Sequence, residues 1–414
     1  MKRKEFLHSA CKLLAILACI LISAGSALAA DPTENVLYHF QGGSDGAEPY
    51  ARLVFGTDGN LYGTTLFGGG GCKYECGTVF QLTPDAGGGW KETVLHHFAG
   101  PDGKYPQSTL VLDKLGNLYG TTSEGGRYGA GVVFKLTRRS NGTWKESILH
   151  HFGHGNDGAN PSAGLIWDAA AGNLYGTTQG GGRTACQQGC GTVFKLTPTA
   201  GGRWQESTLY AFKGNSDGSG LRGGLVFDKA GNLYGTTSNF PGTAFKLTPT
   251  SHGPWKKTLL HAFKPGADGN NPVGSLITDG NGSLYGATVT GGACELCGIV
   301  FRLAPTSHGL WKKSTLYEFK SDQHGRQPYD GVAFDPEGNL YGATSRNGDP
   351  TCDCGTVFKL APRASGEWRE TNLHIFKGSG DGAVPNGSVI LDTEGNVYGT
   401  TTDDGWGVVY EIVP

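Results

Sequence analysis

The sequence predicts an all-β protein, a seven-bladed β-propeller of four-stranded antiparallel blades. Three observations carry that expectation. A seven-residue motif returns seven times at a steady period. Glycine is dense along the whole chain. The last repeat lacks a strand that the N-terminus carries.

The motif is GNLYGTT at Gly59–Thr65, Gly116–Thr122, Gly172–Thr178 and Gly231–Thr237. It returns as GSLYGAT at Gly282–Thr288, GNLYGAT at Gly338–Thr344 and GNVYGTT at Gly395–Thr401. Its tyrosines, Tyr62 to Tyr398, are spaced by 57, 56, 59, 51, 56 and 57 residues. Glycine supplies 71 of 414 residues. At about 1 kcal/mol per helical position, that density argues against helices. No three-residue period exists, which excludes collagen. Hydrophobic residues at 37% are enough for a core.

Each period holds four strand-like pieces divided by Gly- and Pro-bearing turns, which marks short antiparallel strands. In the fourth copy these are Gly224–Phe227, Asn232–Thr237, Thr243–Leu247 and Trp255–Phe263. Four strands in some 56 residues suit a propeller blade. A β-helix rung is far shorter, and an α-solenoid needs helices. The first strand-like piece, Val36–Phe40, matches the fourth strand of other copies, such as Val94–Phe98. The last copy stops after its third strand, at Val408–Ile412. The N-terminal strand is therefore expected to complete the seventh blade and remove an open edge. Small Gly-Thr-Thr segments suit the crowded inner strands. The outer strands carry large residues such as Trp144, Leu149 and Phe152. Six Trp open those strands, and their regularity reads as packing before sugar stacking.

Residues 1–29 read as a Sec signal peptide: Lys2, Arg3, Lys4 and Lys12, an apolar Leu13–Ile22, then Ala27-Leu28-Ala29. The apolar run is too short for a membrane anchor, and lipoprotein cleavage before Cys19 is a poorer match. Losing four basic residues and one acidic residue takes the formal charge from −2 to −5. Neither value gives an electrostatic footprint for nucleic acid or an anionic membrane. Residues 30–414 are expected to form one propeller, secreted or periplasmic and monomeric, with no membrane span, metal or cofactor.

GNLYGTT, a GG-rich loop and then GTVFKLTP, as at Gly172–Thr178 with Gly191–Pro198, resemble the GloVer-type tandem repeat of exported bacterial proteins. The likeness covers about residues 36–413. It implies an extracytoplasmic repeat protein and no particular reaction. Members of that family often carry C-terminal sorting anchors. This sequence ends at Ile412-Val413-Pro414 with no apolar tail, so that anchoring is not expected.

Repetition separates scaffold from site. Tyr38, His96, His150, Tyr210, His261, Tyr317 and His374 share one column, which reads as a buried hydrogen bond rather than zinc ligation. Asp-Gly-x-x-Pro segments begin at Asp45, Asp102, Asp157, Asp268 and Asp381, and Asp also recurs in the Asp-x-x-Gly-Asn turns. Both read as turn chemistry rather than calcium sites, since no D-x-D-x-D loop is present. Cys72/Cys76, Cys186/Cys190, Cys294/Cys297 and Cys352/Cys354 pair evenly, as disulfides stapling the loops of an exported protein would. The last pair is strained by its one-residue spacer. A Cys₄ zinc site between copies five and six, or a redox role for Cys294 and Cys297, are the rivals. No G-x-S-x-G, H-E-x-x-H, P-loop or C-x-x-C-H motif occurs.

The Asp-Gly-x-x-Pro and GG/Cys loops share one face and vary most between copies. Binding usually sits on such loops. Pattern-breaking residues there are Tyr74, Arg127, Tyr128, His154, Arg222, Phe240, His324, Arg326, Asp403, Asp404 and Trp406. Three functions fit: an exported recognition module for an extracellular carbohydrate or protein, a polysaccharide hydrolase or lyase using carboxylates or His154 and His324 at the axial mouth, and a structural envelope protein.

Overall fold

The computed structural model describes residues 31–72, 76–168, 172–182, 186, 187, 189–251 and 253–414. Residues 1–29, the expected signal peptide, lie outside them. The strands form seven four-stranded antiparallel sheets. In the first blade β2 (Val54–Phe55) is innermost, followed outward by β3 (Leu61–Thr65), β4 (Thr78–Pro84) and β5 (Trp90–His97). β1 (Thr33–His39) runs antiparallel to Val408–Val413, from Thr33 opposite Val413 to His39 opposite Val408. The expected closure is what forms: the N-terminal strand is the outer strand of the seventh blade.

The core is a ring of aromatic contacts between blades. Phe98–Phe134, Phe152–Phe194, Phe212–Phe245, Phe263–Phe301 and Phe319–Phe358 meet edge-on with centroids 5.0–5.1 Å apart. Phe376–Tyr410 (5.2 Å) and Phe40–Phe80 (5.1 Å) complete it through the closing blade. This ring explains the glycine of Tyr-Gly-Thr-Thr. A Cβ on Gly63 would stand 2.5 Å from Phe80, so only glycine lets the ring approach the strand. Trp144 packs on Tyr62 of the preceding blade (6.3 Å) and Trp204 on Tyr119 (6.4 Å), which makes the tryptophans packing residues.

The repeated polar residues are absorbed locally. Asp113 accepts from the backbone N–H of Leu115 and Asn117, from Asn117 Nδ2 (2.7 Å) and from the Tyr119 hydroxyl (3.0 Å). The His/Tyr column finds its partner in the Asp of Asp-Gly-x-x-Pro: His96–Asp102 3.0 Å, His150–Asp157 2.9 Å, Tyr38–Asp45 2.7 Å. Two motifs that look independent in sequence are thus one device. Among the described residues no helix is long and apolar enough to cross a membrane.

All four cysteine pairs are disulfides: Cys72–Cys76, Cys186–Cys190, Cys294–Cys297 and Cys352–Cys354. Their expected role as staples of surface loops needs one correction. Cys76, Cys190 and Cys297 are fully buried, and Cys354 nearly so. Cys76 packs in the core with Val79 and Phe98 of the first blade and Leu110 of the second. The physical reason is position. The second cysteine of each pair stands directly before the Gly that opens the third strand, which carries its sulfur beneath the loop. A bonded sulfur has no polar group to satisfy there and behaves as a small apolar side chain. The carbonyl of that cysteine also accepts from the segment entering the next blade: Cys76 from the Tyr105 N–H (2.9 Å), Cys297 from Gln327 (2.8 Å) and Cys354 from Val384 (2.8 Å). Cys76 and its counterparts are therefore core and seam residues, and only the first cysteine of each pair belongs to the loop.

Candidate ligand site at the axial mouth

Seven segments converge where the innermost strands begin. Each runs from the Pro of Asp-Gly-x-x-Pro, or Leu221 in the fourth copy, into its first strand. The next residue around the ring is Tyr50, Gln107, Ser162, Arg222, Val273, Tyr329 and Asn386. All seven line one recess of about 290 Å³. Beneath it the axial channel continues past Phe55, Leu112 and Trp167.

Hydrogen bonds between neighbouring blades hold the recess rigid. In four of the five Gly-Thr-Thr copies the middle Thr donates to a carbonyl of the next blade: Thr121 to Ala163, Thr177 to Gly223, Thr236 to Gly274 and Thr400 to Ala51, at 3.2–3.4 Å, while Thr64 Oγ1 of the first blade is buried without a partner among the described residues. The fifth and sixth blades carry Ala287 and Ala343 at that position. There Asp330 supplies the link instead. Its carboxylate accepts from the backbone N–H of Ser275 (3.4 Å) in the fifth blade, Gly331 (2.7 Å) in its own, and Ser388 (3.0 Å) in the seventh. One aspartate spans two seams whose threonines are missing.

Two guanidiniums face the recess, Arg52 from the first blade and Arg222 from the fourth. Among the described residues neither is in an ion pair with a carboxylate. Tyr50 meets Tyr329 edge-on, centroids 6.1 Å apart at 88°. Burial, reinforced by the Tyr329 phenol, pushes the Tyr50 phenol up, while Arg222 pulls it down. Tyr50 therefore stays a neutral hydroxyl at neutral pH. Gln179 Nε2 donates to Ser162 Oγ at 2.5 Å, and Asn386 Nδ2 to Thr402 Oγ1 at 2.9 Å. Both amides are oriented by these bonds. Among the described residues no cluster of three His, Cys, Asp or Glu could hold a metal.

Residues 26–240 and 183–413 match the Gloeobacter/Verrucomicrobia repeat. The chain belongs to that repeat family. No curated protein matches it in sequence. Among solved structures, this Gloeobacter/Verrucomicrobia repeat protein is similar to a periplasmic gluconolactonase of Pseudomonas aeruginosa. The identity is 17% and the TM-score 0.51, over 78% of this chain and 84% of that one. It is also similar to a candidate 6-phosphogluconolactonase of Bacteroides uniformis. There the identity is 14% and the TM-score 0.52, over 79% and 85%. At such identity the likeness is one of fold.

Of the residues singled out in sequence, Arg222 lines the recess. Arg127, Tyr128 and His154 gather on the rim: the Tyr128 and His154 rings are 5.5 Å apart, and the Arg127 guanidinium lies 5.5 Å from the Tyr128 centroid. His324 occupies the Asp column of the sixth copy, and its Nδ1 pairs with Glu370 at 2.5 Å. Neither His154 nor His324 lines the recess. Arg326 donates to Asn347 (2.8 Å) and, with Asp353, lines a hollow of about 570 Å³ in the sixth-blade loops. Trp406 lies over Gly42, where a Cβ would come within 2.9 Å of the indole. Asp403 pairs with Ala383 through the backbone, and Asp404 accepts from Gly380 and Gly382. Phe240 is 70% exposed in its short loop. The cysteines, from Cys72 and Cys76 to Cys352 and Cys354, are absent from the recess lining. Tyr74 lies outside the described residues.

Sequence reasoning missed Tyr50, Arg52, Tyr329 and Asp330. The signal was available. The position after the Pro differs between copies although its surroundings repeat, and Arg52 and Asp330 stand where other copies carry small residues.

Proposed function

We propose that this is an exported recognition propeller that binds an extracellular carbohydrate or protein at the axial mouth. One observation carries the reading: chemical variety is concentrated at the ring from Tyr50 to Asn386, where all seven blades meet, while the framework beneath it repeats. A single asymmetric ligand on a pseudo-symmetric scaffold needs that arrangement. Export is supported by four disulfides, which persist in oxidising compartments.

The catalytic alternative, a hydrolase or lyase at the same mouth, shares its propeller with the two lactonase-type proteins. Canonical glycoside hydrolysis uses two carboxyl groups. The lining residues of the recess contain one, Asp330, whose oxygens already accept three backbone N–H bonds. That supports binding over glycoside hydrolysis by a carboxyl pair.

A panel of polysaccharides and oligosaccharides tests this, read for retention and for newly released ends. Retention without release, lost in Arg222→Ala and Tyr329→Ala, is the expected result. Release of product by the wild type and not by those variants would replace the recognition reading with an enzyme.

A further inference from the structure

We infer that the axial recess takes a sugar carrying one carboxylate, a hexuronic acid residue, with Arg52 and Arg222 as the groups that read the acid. The inference rests on the recognition reading above and narrows its ligand class.

The first argument is charge. The lining holds two guanidiniums and one carboxylate. Asp330 is engaged by three backbone N–H groups across two seams, and no carboxylate lies within ion-pair distance of Arg52 or Arg222 among the described residues. The lining is left with one net positive charge inside a ring of protein. A ligand with one negative charge neutralises it, and a guanidinium matches a planar carboxylate through two parallel N–H···O bonds.

The second argument concerns the repeat. Arg52 stands where the other six blades carry Thr109, Gly164, Gly224, Ser275, Gly331 and Ser388. Small residues are what the converging inner strands accommodate, so a long cation at this point is not a requirement of the fold. Arg222 likewise follows Leu221, the one copy where the Pro of Asp-Gly-x-x-Pro is replaced.

The third argument is size and polarity. A recess of about 290 Å³ is at the lower end of the ~300–1,000 Å³ typical of small-molecule sites, which suits one sugar residue. Around the guanidiniums stand the amides of Gln107, Gln179 and Asn386 and the Tyr50–Tyr329 pair. Amides donate and accept at once, as vicinal hydroxyls require. Tyrosine offers an apolar face with a hydroxyl tip.

Calorimetric titration of the mature protein with galacturonate and glucuronate, against galactose and glucose at the same ionic strength, tests this. The acids should bind at least about tenfold more tightly than the neutral sugars, a difference of roughly 1.4 kcal/mol. Arg52→Gln and Arg222→Gln should each remove about tenfold of the acid affinity, as loss of a charge-assisted pair does, and weaken any neutral-sugar binding by less than that. Arg222→Lys should fall between wild type and Arg222→Gln, because it keeps the charge and loses the fork. Unchanged melting temperatures exclude misfolding as the cause. A trigalacturonide arm separates a free acid from a residue of an acidic polymer, since a polymer ligand binds the trimer more tightly than the monomer. Equal affinity for acid and neutral sugars, with both lost in Tyr329→Ala, would overturn the acid class and leave the recess reading standing. Equal affinity for a galactose sulfate would overturn the carboxylate. Absence of any uronate binding in the wild type would overturn the inference outright, and a ligand that binds Tyr329→Ala as well as wild type would overturn both readings.

Discussion

The ammonium of Lys257 lies 2.9 Å from Oδ1 of Asp217 and ties the outer strand of the fourth blade to the loop that leaves the third. Tyr210, from the third blade, donates to the same carboxylate oxygen at 2.9 Å. Burial pushes the Asp217 carboxyl up, and Lys257, Tyr210 and the Lys213 N–H outweigh it, so it titrates below the ordinary carboxylate range. The next seam repeats the arrangement with Lys313 and Asp268 at 3.2 Å. At the seam after that the acid comes from the outer strand, and Glu370 meets His324 of the loop.

Lys257→Ala should therefore weaken one seam. Its removal leaves a half-buried carboxylate with fewer donors, which costs about 1–3 kcal/mol. Differential scanning calorimetry at pH 7 checks it. An unchanged melting temperature would show that the third and fourth blades do not depend on this contact.

The remaining seams set glutamate against aspartate: Glu92 near Asp45, Glu146 near Asp102, Glu206 near Asp157 and Glu34 near Asp381. Burial, and behind it the charge of Asp45, pushes the Glu92 carboxyl up to about 8. Glu34 and Glu146 rise to about 7. A carboxyl whose folded value is raised holds its proton more tightly in the native state. Its contribution is fully present below the ordinary value of 4.5 and is lost as pH rises through the folded value. Stability should thus fall between about pH 5 and pH 8 through these groups. Glu92→Gln, which keeps the shape and cannot ionise, should flatten part of that fall. Denaturant midpoints at pH 5, 7 and 9 measure it; parallel profiles for wild type and variant would refute the carboxyl pair.

Closure depends on few residues. Phe40 is 3% exposed and carries the aromatic ring from the seventh blade to Phe80 of the first. Phe40→Ala should cost about 3–5 kcal/mol, the range for deleting a buried phenyl. Deleting residues 30–41 should cost more, because it also bares the edge of Val408–Val413 to intermolecular pairing. Denaturant unfolding reads the first, and size-exclusion chromatography the second. A monomeric deletion variant with wild-type stability would mean that the ring does not need its clasp.

Much of this was legible in the sequence. Seven GNLYGTT-like copies and one displaced strand announce blade number and closure, because strand periodicity and turn residues are local signals. The pairing of His96 with Asp102 was not legible, although the two lie six residues apart, because the ring column reads as a hydrogen bond between blades and the aspartate as turn chemistry of its own. The burial of Cys76 was hidden in a similar way, since a glycine-rich loop reads as surface along its whole length. The recess was harder still. Arg52 and Arg222 lie far apart in sequence and share one recess because the ring closes. Attention to divergent loops led to Arg127, Phe240 and Trp406, whereas the recess is lined by residues at the starts of the inner strands.

The disulfides should add to a fold that forms without them. Cys190 is fully buried beside Phe212 and Leu221, and its bridge to Cys186 spans a sequence separation of 4. Closing so short a loop restricts the unfolded chain by about 2 kcal/mol. The Cys186→Ala/Cys190→Ala double variant should therefore fold, with an unfolding free energy lower by at least that amount in denaturant titration. Peptide mapping under non-reducing conditions should recover the four local pairs in the wild type; a Cys294–Cys352 crosslink, or bound zinc, would contradict them.

Tyr410 breaks the aromatic ring. The six equivalent positions are Phe80, Phe134, Phe194, Phe245, Phe301 and Phe358. The Tyr410 side chain is fully buried, and its hydroxyl has no hydrogen-bond partner among the described residues. It lies against Gly399, where a Cβ would collide with the hydroxyl oxygen. Burial, with the nearby Glu34 adding to it, pushes this phenol far up, so it stays neutral and contributes no charge to the seam. A buried donor without a partner costs about 1–3 kcal/mol. Tyr410→Phe removes the donor, keeps the ring contact with Phe376, and leaves a space of one oxygen atom. Stabilisation by about 1 kcal/mol is expected, since that space offsets part of the gain. Thermal and denaturant unfolding of the variant measure it. A loss of stability would show that the hydroxyl makes a bond the fold uses, through a buried water or through Glu34.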